Sequence, residues 1–188
     1  MKKRCKWCNL KNELYIKYHD EEWCKPNFDD KYLFEMLILE SFQAGLSWEC
    51  VLNKREEFRK VFDKFDIDKI CNYDDLKIQE LLKNEKIIRN KLKIKATINN
   101  AQIFKKIQNE YNSFHDYLRT FTNDKIIYEI NKTTSDLSDK ISKDLQKKGM
   151  KFVGSTIIYS YLQAIGLIYS HEQECFLYNQ VWYKRKEW

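Results

Sequence analysis

Apolar residues recur every three or four positions over much of the chain, which is typical of helices that bury one face. The first clear run begins after Asp29 and ends at Gly45. Its apolar positions are Leu33, Phe34, Leu37, Ile38 and Phe42. Ser47 then stands where it can cap a second helix. The apolar positions of that helix are Val51, Leu52, Phe58 and Phe62. Residues 1–28 show no such period, and we expect them to be irregular.

The same pattern predicts further helices toward the C-terminus. A long one extends from about Ile87 to Ile107. Another carries an apolar stripe and ends near Gly149; the stripe is Leu137, Ile141 and Leu145. Three of these later helices are preceded by residues that commonly cap a first turn. The capping candidates are Asp74 or Asp75, Ser113, and Ser155 or Thr156.

Glycine and proline are scarce, with 4 and 1 in 188 residues, so few turns depend on a positive φ and few helices are interrupted. The chain is therefore predicted to be all-α, with about eight to ten helices. A chain of this length is most simply one domain. We place the domain at residues 1–179, with room for two helical lobes, and expect residues 180–188 to form a loosely attached tail.

Charge and cysteine usage narrow the setting in which the protein works. A net charge of +6 is compatible with a nucleic-acid or phosphate partner without requiring one. The six cysteines form no secreted-type framework, and the N-terminus lacks an apolar signal segment. No apolar run approaches the length of about 18 residues needed to span a membrane. These features predict a cytoplasmic protein with free or metal-bound thiols.

Two of the three histidines lie near opposite ends of the chain, each with a cysteine nearby. Cys5 and His19 form one pair. His171 and Cys175 form the other, on one face if their segment is helical. Together they make the Cys₂His₂ set of a closed structural zinc site. The alternative is four scattered polar residues with no common site, and Cys8, in a CxxC with Cys5, is a competing ligand.

Glu40 falls in the apolar sector of its helix, where a carboxylate is rarely buried unless it is paired. Either its charge reaches solvent, or it lies in an aromatic pocket. In a pocket it would bind a cationic or amino-bearing ligand, or act as an acid or base. Aromatic residues crowd the N-terminal segment and the position after Ser47. Such residues are normally core, but their faces also stack on cations and nucleobases. They are Trp7, Tyr15, Tyr18, Trp23 and Trp48.

A lysine-rich pattern of helix, tight turn and helix spans residues 81–95. Backbone N–H groups at the start of its second helix would suit a phosphate, with lysines nearby. The alternative is an ordinary solvated helix face that carries lysines.

Four motifs stand out along the chain: Arg4–Trp7, Tyr15–Trp23 with YHDEEW at its end, Leu39-Glu40 followed by QAGLSW at 43–48, and KFVGST at 151–156. With the hairpin region at Ile87–Ile94, they resemble the 3-methyladenine DNA glycosylase I family of the helix-hairpin-helix glycosylase superfamily. The resemblance covers about residues 4–178. The YHDxEW and QAGLSW strings are the specific part of it.

This resemblance implies a helix-hairpin-helix glycosylase-like domain whose N- and C-terminal segments are joined by a structural zinc ion. The implied zinc ligands are Cys5, His19, His171 and Cys175. Glu40 is implied as the catalytic residue that contacts the excised base. The implied base-binding aromatic residues are Tyr18, Trp48, Trp7, Tyr15 and Trp23. The implied DNA contacts are Gly45, Leu46, Arg89, Lys91, Lys151 and Gly154.

The activity implied by the resemblance is hydrolytic excision of 3-methyladenine, flipped out of alkylated double-stranded DNA, without strand cleavage. Free 3-methyladenine would be the product ligand, and we expect a monomer that does not bind membranes. The competing interpretation is a zinc-stapled domain that binds alkylated purine or DNA without hydrolysis. The hairpin departs from the family: Asn84-Glu85-Lys86 stands where many relatives have a glycine. This departure predicts a wider turn and a weaker phosphate contact.

Overall fold

The computed structural model describes residues 2–123 and 125–179. The described chain is mostly helical. Its helices are α1 (Glu13–Glu21), α2 (Asp30–Gln43), α3 (Trp48–Leu52), α4 (Arg55–Val61), α5 (Ile67–Cys71), α6 (Asp75–Lys83), α7 (Lys91–Tyr111), α8 (Phe114–Thr122), α9 (Asp136–Lys147) and α10 (Ser155–Ala164). A short 3₁₀ helix, Asp63–Phe65, lies between α4 and α5. The tail predicted at residues 180–188 lies outside the described residues.

Two short strands make the prediction of an all-α fold wrong in one detail. Strand β1 (Ile127–Tyr128) pairs in parallel with β2 (Ile168–Tyr169). Each strand has two residues, which is too short to show the alternation that marks a strand in sequence. The pair ties the segment after α8 to the segment after α10.

Capping explains where several helices begin. The side chain of Ser47 accepts a hydrogen bond from the N–H of Cys50, and Asp74 and Ser113 cap α6 and α8 in the same way. These three caps confirm the sequence predictions. The N-terminal segment is less irregular than expected, because Asn12 accepts bonds from Leu14 and Tyr15 and so starts α1.

Some helix boundaries differ from the predictions. The helix expected after Ser47 is two helices, α3 and α4, which are separated at residues 53–54. The long helix begins at Lys91 rather than near Ile87, because the side chain of Asn90 caps it. Helix α10 begins after Gly154 without a side-chain cap, so the predicted cap at Ser155 or Thr156 is wrong.

Helix α2 is the centre of the core. Every residue from Leu33 to Phe42 is buried, and the helix contacts α3, α7, α8 and α10. Such all-round burial marks a core helix rather than a surface one. Two of its buried residues are carboxylates. Glu35 is paired with Arg55, whose Nε lies 2.5 Å from Oε1, whereas Glu40 faces a cavity.

The two ends of the described chain lie together. The N–H of Phe176 donates to the carbonyl of Lys3 at 2.8 Å, and the ring of Phe176 lies under the guanidinium of Arg4.

Among the described residues, no helix has both the length and the apolar character that a membrane span requires.

Candidate active site and metal centre

The four predicted metal ligands meet in one place. Cys5, His19, His171 and Cys175 are buried, and their donor atoms all lie within 4.8 Å of one another. His171 Nδ1 lies 3.5 Å from both sulfurs, and His19 Nε2 lies 3.6 Å from the sulfur of Cys175. A tetrahedral zinc with Zn–S of about 2.3 Å and Zn–N of about 2.1 Å separates sulfur from nitrogen by about 3.6 Å. The donor set and its spacing therefore fit zinc.

A neighbouring ion pair orients one of these histidines. His19 Nδ1 lies 2.8 Å from Asp20 Oδ1, and Arg4 binds both oxygens of Asp20 at 2.8 and 2.6 Å. Burial opposes ionisation of Asp20, but its hydrogen bonds from Arg4 and His19 lower its pKa. An ionised carboxylate only accepts hydrogen bonds, so Nδ1 carries the proton. His19 Nε2 is then the ring nitrogen with the lone pair; it faces the cluster and accepts a hydrogen bond of 3.3 Å from the N–H of Cys5.

The two cysteine side chains of the cluster have opposite pKa shifts. A hydrogen bond between the two thiol groups raises the pKa of Cys5 and lowers the pKa of Cys175. Zinc binds cysteine as the thiolate, so a metal ion bound here would displace thiol protons. Cys8 is not part of this cluster: its sulfur lies 3.9 Å from the carbonyl oxygen of Tyr15, and burial raises its pKa to about 11.

His171 and Cys175 do not lie on one face of a helix, which their spacing of four residues would allow. Residues 171–175 form a turn rather than a helix, closed by a bond of 2.8 Å from Cys175 N to the carbonyl of Glu172. This turn, and not a helical face, brings the side chains of His171 and Cys175 together.

A cavity of about 330 Å³ opens beside the metal cluster. It is lined by Glu40 and by all five of the aromatic residues singled out in the sequence: Trp7, Tyr15, Tyr18, Trp23 and Trp48. The rings of Tyr18 and Trp48 are tilted by 46° with their centroids 5.2 Å apart. The structure therefore brings together the residues predicted to bind a base.

Glu40 is the notable polar group of this cavity. Its Oε2 is buried and has no hydrogen-bond partner within the described structure, and the same holds for Nε1 of Trp48. Burial raises the pKa of Glu40 to about 8. At neutral pH it is therefore mostly an uncharged acid. A ligand with polar edges would find one donor and one carboxyl group that lack partners.

The aromatic wall of the cavity continues into the metal cluster. Trp7 packs edge-on against Trp23 with centroids 4.6 Å apart, and it lies 5.3 Å from the ring of His19. Trp23 in turn meets His171 edge-on at 4.8 Å. The rings of two predicted metal ligands thus support two cavity-lining rings directly.

Sequence reasoning missed the opposite wall of the cavity. This wall is formed by helix α10 and the loop after β1; its residues are Thr156, Tyr159, Ser160, Gln163, Asn131, Lys132 and Thr133. Gln43 and Ser170 also line the cavity. A signal was available in α10, where the polar-tipped residues Thr156, Ser160 and Gln163 recur at helical spacing in an otherwise apolar segment.

The predicted DNA contacts lie on three loops outside the cavity. Gly45 and Leu46 form the exposed loop between α2 and α3, where Gly45 has a φ of +80° that favours glycine. Leu46 is 42% exposed although its side chain is apolar. The turn of this loop is closed by a bond of 2.6 Å from Leu46 N to Gln43 O.

The other two loops carry the predicted basic contacts. Arg89 and Lys91 are exposed in and after the turn between α6 and α7, and Arg89 pairs with Glu85 at 3.3 Å. No residue of this turn, 84–90, has a positive φ, so its geometry does not require glycine.

Lys151 and Gly154 lie in the loop between α9 and α10. Asn100 of α7 holds Lys151 by accepting from its N–H and donating to its carbonyl, both at 2.9 Å. Helix α7 therefore anchors this loop as well as the turn that precedes the helix.

Comparison with known proteins agrees with this arrangement. Residues 7–178 match the family model of methyladenine glycosylase. DNA-3-methyladenine glycosylase 1 of Escherichia coli (strain K12) is 42% identical over 182 residues, covering 93% of this chain and 96% of the relative. A crystal structure of 3-methyladenine DNA glycosylase I has a TM-score of 0.89 at 40% identity, covering 93% of this chain and 98% of that chain.

A further solved structure is of a tyrosine-to-phenylalanine variant of 3-methyladenine DNA glycosylase I in complex with 3-methyladenine. It has a TM-score of 0.86 at 33% identity, covering 90% of this chain and 95% of that chain. Agreement of this extent in sequence and in fold identifies a DNA glycosylase, which is a hydrolase of N-glycosyl bonds. The chain belongs to the methyladenine glycosylase family.

Proposed function

We propose that this protein is a monofunctional DNA repair enzyme that excises 3-methyladenine from alkylated double-stranded DNA and leaves an abasic site. The observation that carries the proposal is Glu40, a buried carboxyl group with an unpartnered oxygen inside an aromatic cavity. The activity named for the relative from Escherichia coli and the relative solved with 3-methyladenine support the same substrate.

The positive charge of the alkylated base is the basis on which we expect the cavity to recognise it. Alkylation at N3 makes adenine cationic, and the faces of Tyr18 and Trp48 attract cations. Trp7, Tyr15 and Trp23 complete the aromatic surroundings. A cation beside Glu40 favours the ionised carboxylate, so the raised pKa of Glu40 falls as the base enters and its proton leaves. Unmodified adenine is neutral, so neither the aromatic faces nor an ionised Glu40 attracts it by charge. The cavity therefore favours the damaged base.

Excision then needs little further chemistry. Flipping the nucleotide out of the duplex costs a few kcal/mol. Water attacks C1′ as the C1′–N9 bond breaks, and the electron pair of that bond cancels the charge on the base. A proton passes from the attacking water to solvent, and neutral 3-methyladenine leaves. Because the leaving base is already activated, selecting the damaged base and holding its nucleotide out of the duplex in position for attack supply most of the catalysis.

We propose hydrolysis without strand cleavage, which requires that no amine forms a Schiff base with the sugar. Lys132 is the one lysine among the described residues that line the cavity. Its Nζ lies 2.9 Å from Oε1 of Glu129, so the amine is held in an ion pair. An amine held in this pair is not free to attack the sugar.

The metal centre is proposed as a structural zinc site. Its four protein donors leave no open position for water. The role we assign to it is to hold Trp7 and Trp23 in the cavity wall, through the ring contacts of His19 and His171.

The three exposed loops are proposed to hold the DNA. Leu46, supported by the turn at Gly45, would enter the base stack where the damaged nucleotide has left it. Arg89, Lys91 and Lys151 would bind phosphates, and backbone N–H groups after Gly154 would do so at the start of α10.

The test is release of base from methylated duplex DNA. We expect free 3-methyladenine from the wild-type protein and an alkali-labile abasic product that stays intact without alkali. Glu40→Gln is expected to fold and to lose release. Tight binding without release by the wild-type protein would favour a binding module instead. Covalent trapping of Lys132 on the product by borohydride would contradict the absence of strand cleavage.

A further inference from the structure

Lys93 is a buried lysine that forms no ion pair with an acidic residue in the described part of the chain, yet its ammonium group has two hydrogen-bond acceptors. It lies in the first turn of α7 and is only 6% exposed. Its Nζ donates to the carbonyl of Phe42 at 2.8 Å and to the carbonyl of Ala44 at 2.6 Å. Burial of a lysine is costly unless such bonds offset it, and burial also lowers the pKa of this side chain.

The two carbonyls are at the carboxyl end of α2. The last carbonyls of a helix lack partners within the helix and carry its partial negative charge. Here Lys93 supplies both hydrogen bonds and the opposite charge. The segment that it holds begins at Gln43, which lines the cavity, and continues into the exposed loop of Gly45 and Leu46.

Lys93 also contacts the hairpin turn, residues 84–90, which precedes α7. The backbone N–H of Lys93 donates to the side chain of Asn90 at 3.1 Å, which fixes the first turn of α7 against residues 84–90. The turn itself is braced on α4 and the residue before it: Asn84 donates to Glu57 at 2.9 Å, and Lys54 donates to the carbonyl of Lys86 at 3.2 Å. Lys93 therefore joins the hairpin to the Leu46 loop through one side chain.

We propose that Lys93 is a positioning residue that holds the Leu46 loop in register with the hairpin, so that DNA bound at one places the other in the base stack. This inference rests on the proposed function. Glu40 lies two residues before Phe42 in α2, and the shift of its pKa comes from burial and not from the charge of Lys93. We therefore expect the free base to bind without this link.

The experiment compares Lys93→Met with Lys106→Met, which removes a charge from an exposed position of the same helix. Single-turnover release from methylated duplex should fall by about tenfold to a hundredfold in Lys93→Met, since small misplacements of reacting groups have effects of this size. Affinity for free 3-methyladenine should stay within about twofold. Lys106→Met should match the wild type in both measurements.

Two further measurements distinguish positioning from other roles. The salt dependence of duplex binding should keep its slope in Lys93→Met, because a buried lysine releases no counterions from DNA. The double variant Lys93→Met with Leu46→Ala should be no slower than the slower single variant, because both changes remove the same insertion. If Lys93→Met does not fold, Lys93→Arg, which keeps donors but displaces them, is judged by the same criteria.

Each contrary result overturns the inference. Wild-type release by Lys93→Met would show that the link is not used. Parallel loss of free-base affinity would show a general scaffold role, and a shallower salt slope would show a phosphate contact. Additive losses in the double variant would separate Lys93 from Leu46. Failure of the proposed function is distinct from all of these, since the wild-type protein itself would then release no base.

Discussion

Replacing Glu40 by glutamine tests the cavity through protein stability as well as through activity. Glutamine keeps the shape of the side chain and removes its ionisable group. Burial raises the pKa of Glu40 from its ordinary 4.5 to about 8. Between these two values the folded protein binds a proton that the unfolded chain has lost. The contribution of Glu40 to the free energy of unfolding therefore falls as pH rises through this range.

The size of the effect follows from the two pKa values. A group with a pKa of 4.5 in the unfolded chain and about 8 in the folded protein costs about 1 kcal/mol at pH 5 and about 4 kcal/mol at pH 8. The stability of Glu40→Gln relative to the wild type should therefore rise by about 3 kcal/mol between these pH values. In a chain of this size that corresponds to about 6–12 °C in the difference of Tm.

The assay is thermal unfolding of both proteins at pH 5 and at pH 8. Any fixed effect of the amide, such as its own burial, is the same at both pH values and cancels in the comparison. Glu21, exposed at the end of α1, offers the matched control. Glu21→Gln should change Tm by a similar small amount at both pH values. Base release from methylated DNA is measured on the same samples.

Two results would refute the reasoning. An equal Tm difference between Glu40→Gln and the wild type at pH 5 and pH 8 would mean that the carboxyl group is solvated or paired. Wild-type release by Glu40→Gln would mean that the carboxyl group takes no part in excision. The expected combination, a more stable and inactive protein at pH 8, is the usual sign of a group retained for function at the expense of stability.

Three further predictions concern the other parts of the site. Asp20→Asn should weaken zinc binding about 10- to 100-fold, measured by competition with a chelator, because His19 loses an anionic partner; unchanged affinity would contradict the role of this pair. Trp48→Ala should weaken binding of free 3-methyladenine by about 1–3 kcal/mol in calorimetry, the range measured for base stacking on an aromatic ring; undiminished affinity would remove Trp48 from the site. Lys151→Met should reduce the slope of log affinity against log salt for duplex DNA by about 1, and an unchanged slope would mean that Lys151 touches no phosphate.

Local signals predicted much of the fold. Ser47, Asp74 and Ser113 cap helices as expected, because capping involves residues only a few positions apart. The parallel pairing of β1 with β2 was not predictable, since it depends on contacts between distant segments that are two residues long. The monomeric state and the cytoplasmic location stay predictions.

The same contrast between local signals and contacts of distant segments holds for the site residues. Cys5 and His171 are 166 positions apart. Their residue types suggested a common metal site and the family resemblance strengthened it, but no local sequence rule brings the two ends of the chain together. Lys93 escaped notice because its partners are carbonyls about 50 positions away, which carry no sequence signature. In the sequence it is one lysine among many in α7. Glu40 was visible because an acidic residue in an apolar sector conflicts with local pattern, and such conflicts mark functional sites.

Closure of the chain ends has a consequence for the order of events during synthesis. The ribosome makes Trp7, Tyr15 and Glu40 early, but His171 and Cys175 come after almost all other described residues. Until they emerge, the nascent chain has only half of the proposed metal centre, although α10, which forms the opposite cavity wall, has already been made. We therefore expect release of a protein that ends before His171 to yield no binding of 3-methyladenine. Capture of the metal would follow synthesis of both ligand pairs, and a cavity able to bind the base would be found only in chains that extend past Cys175.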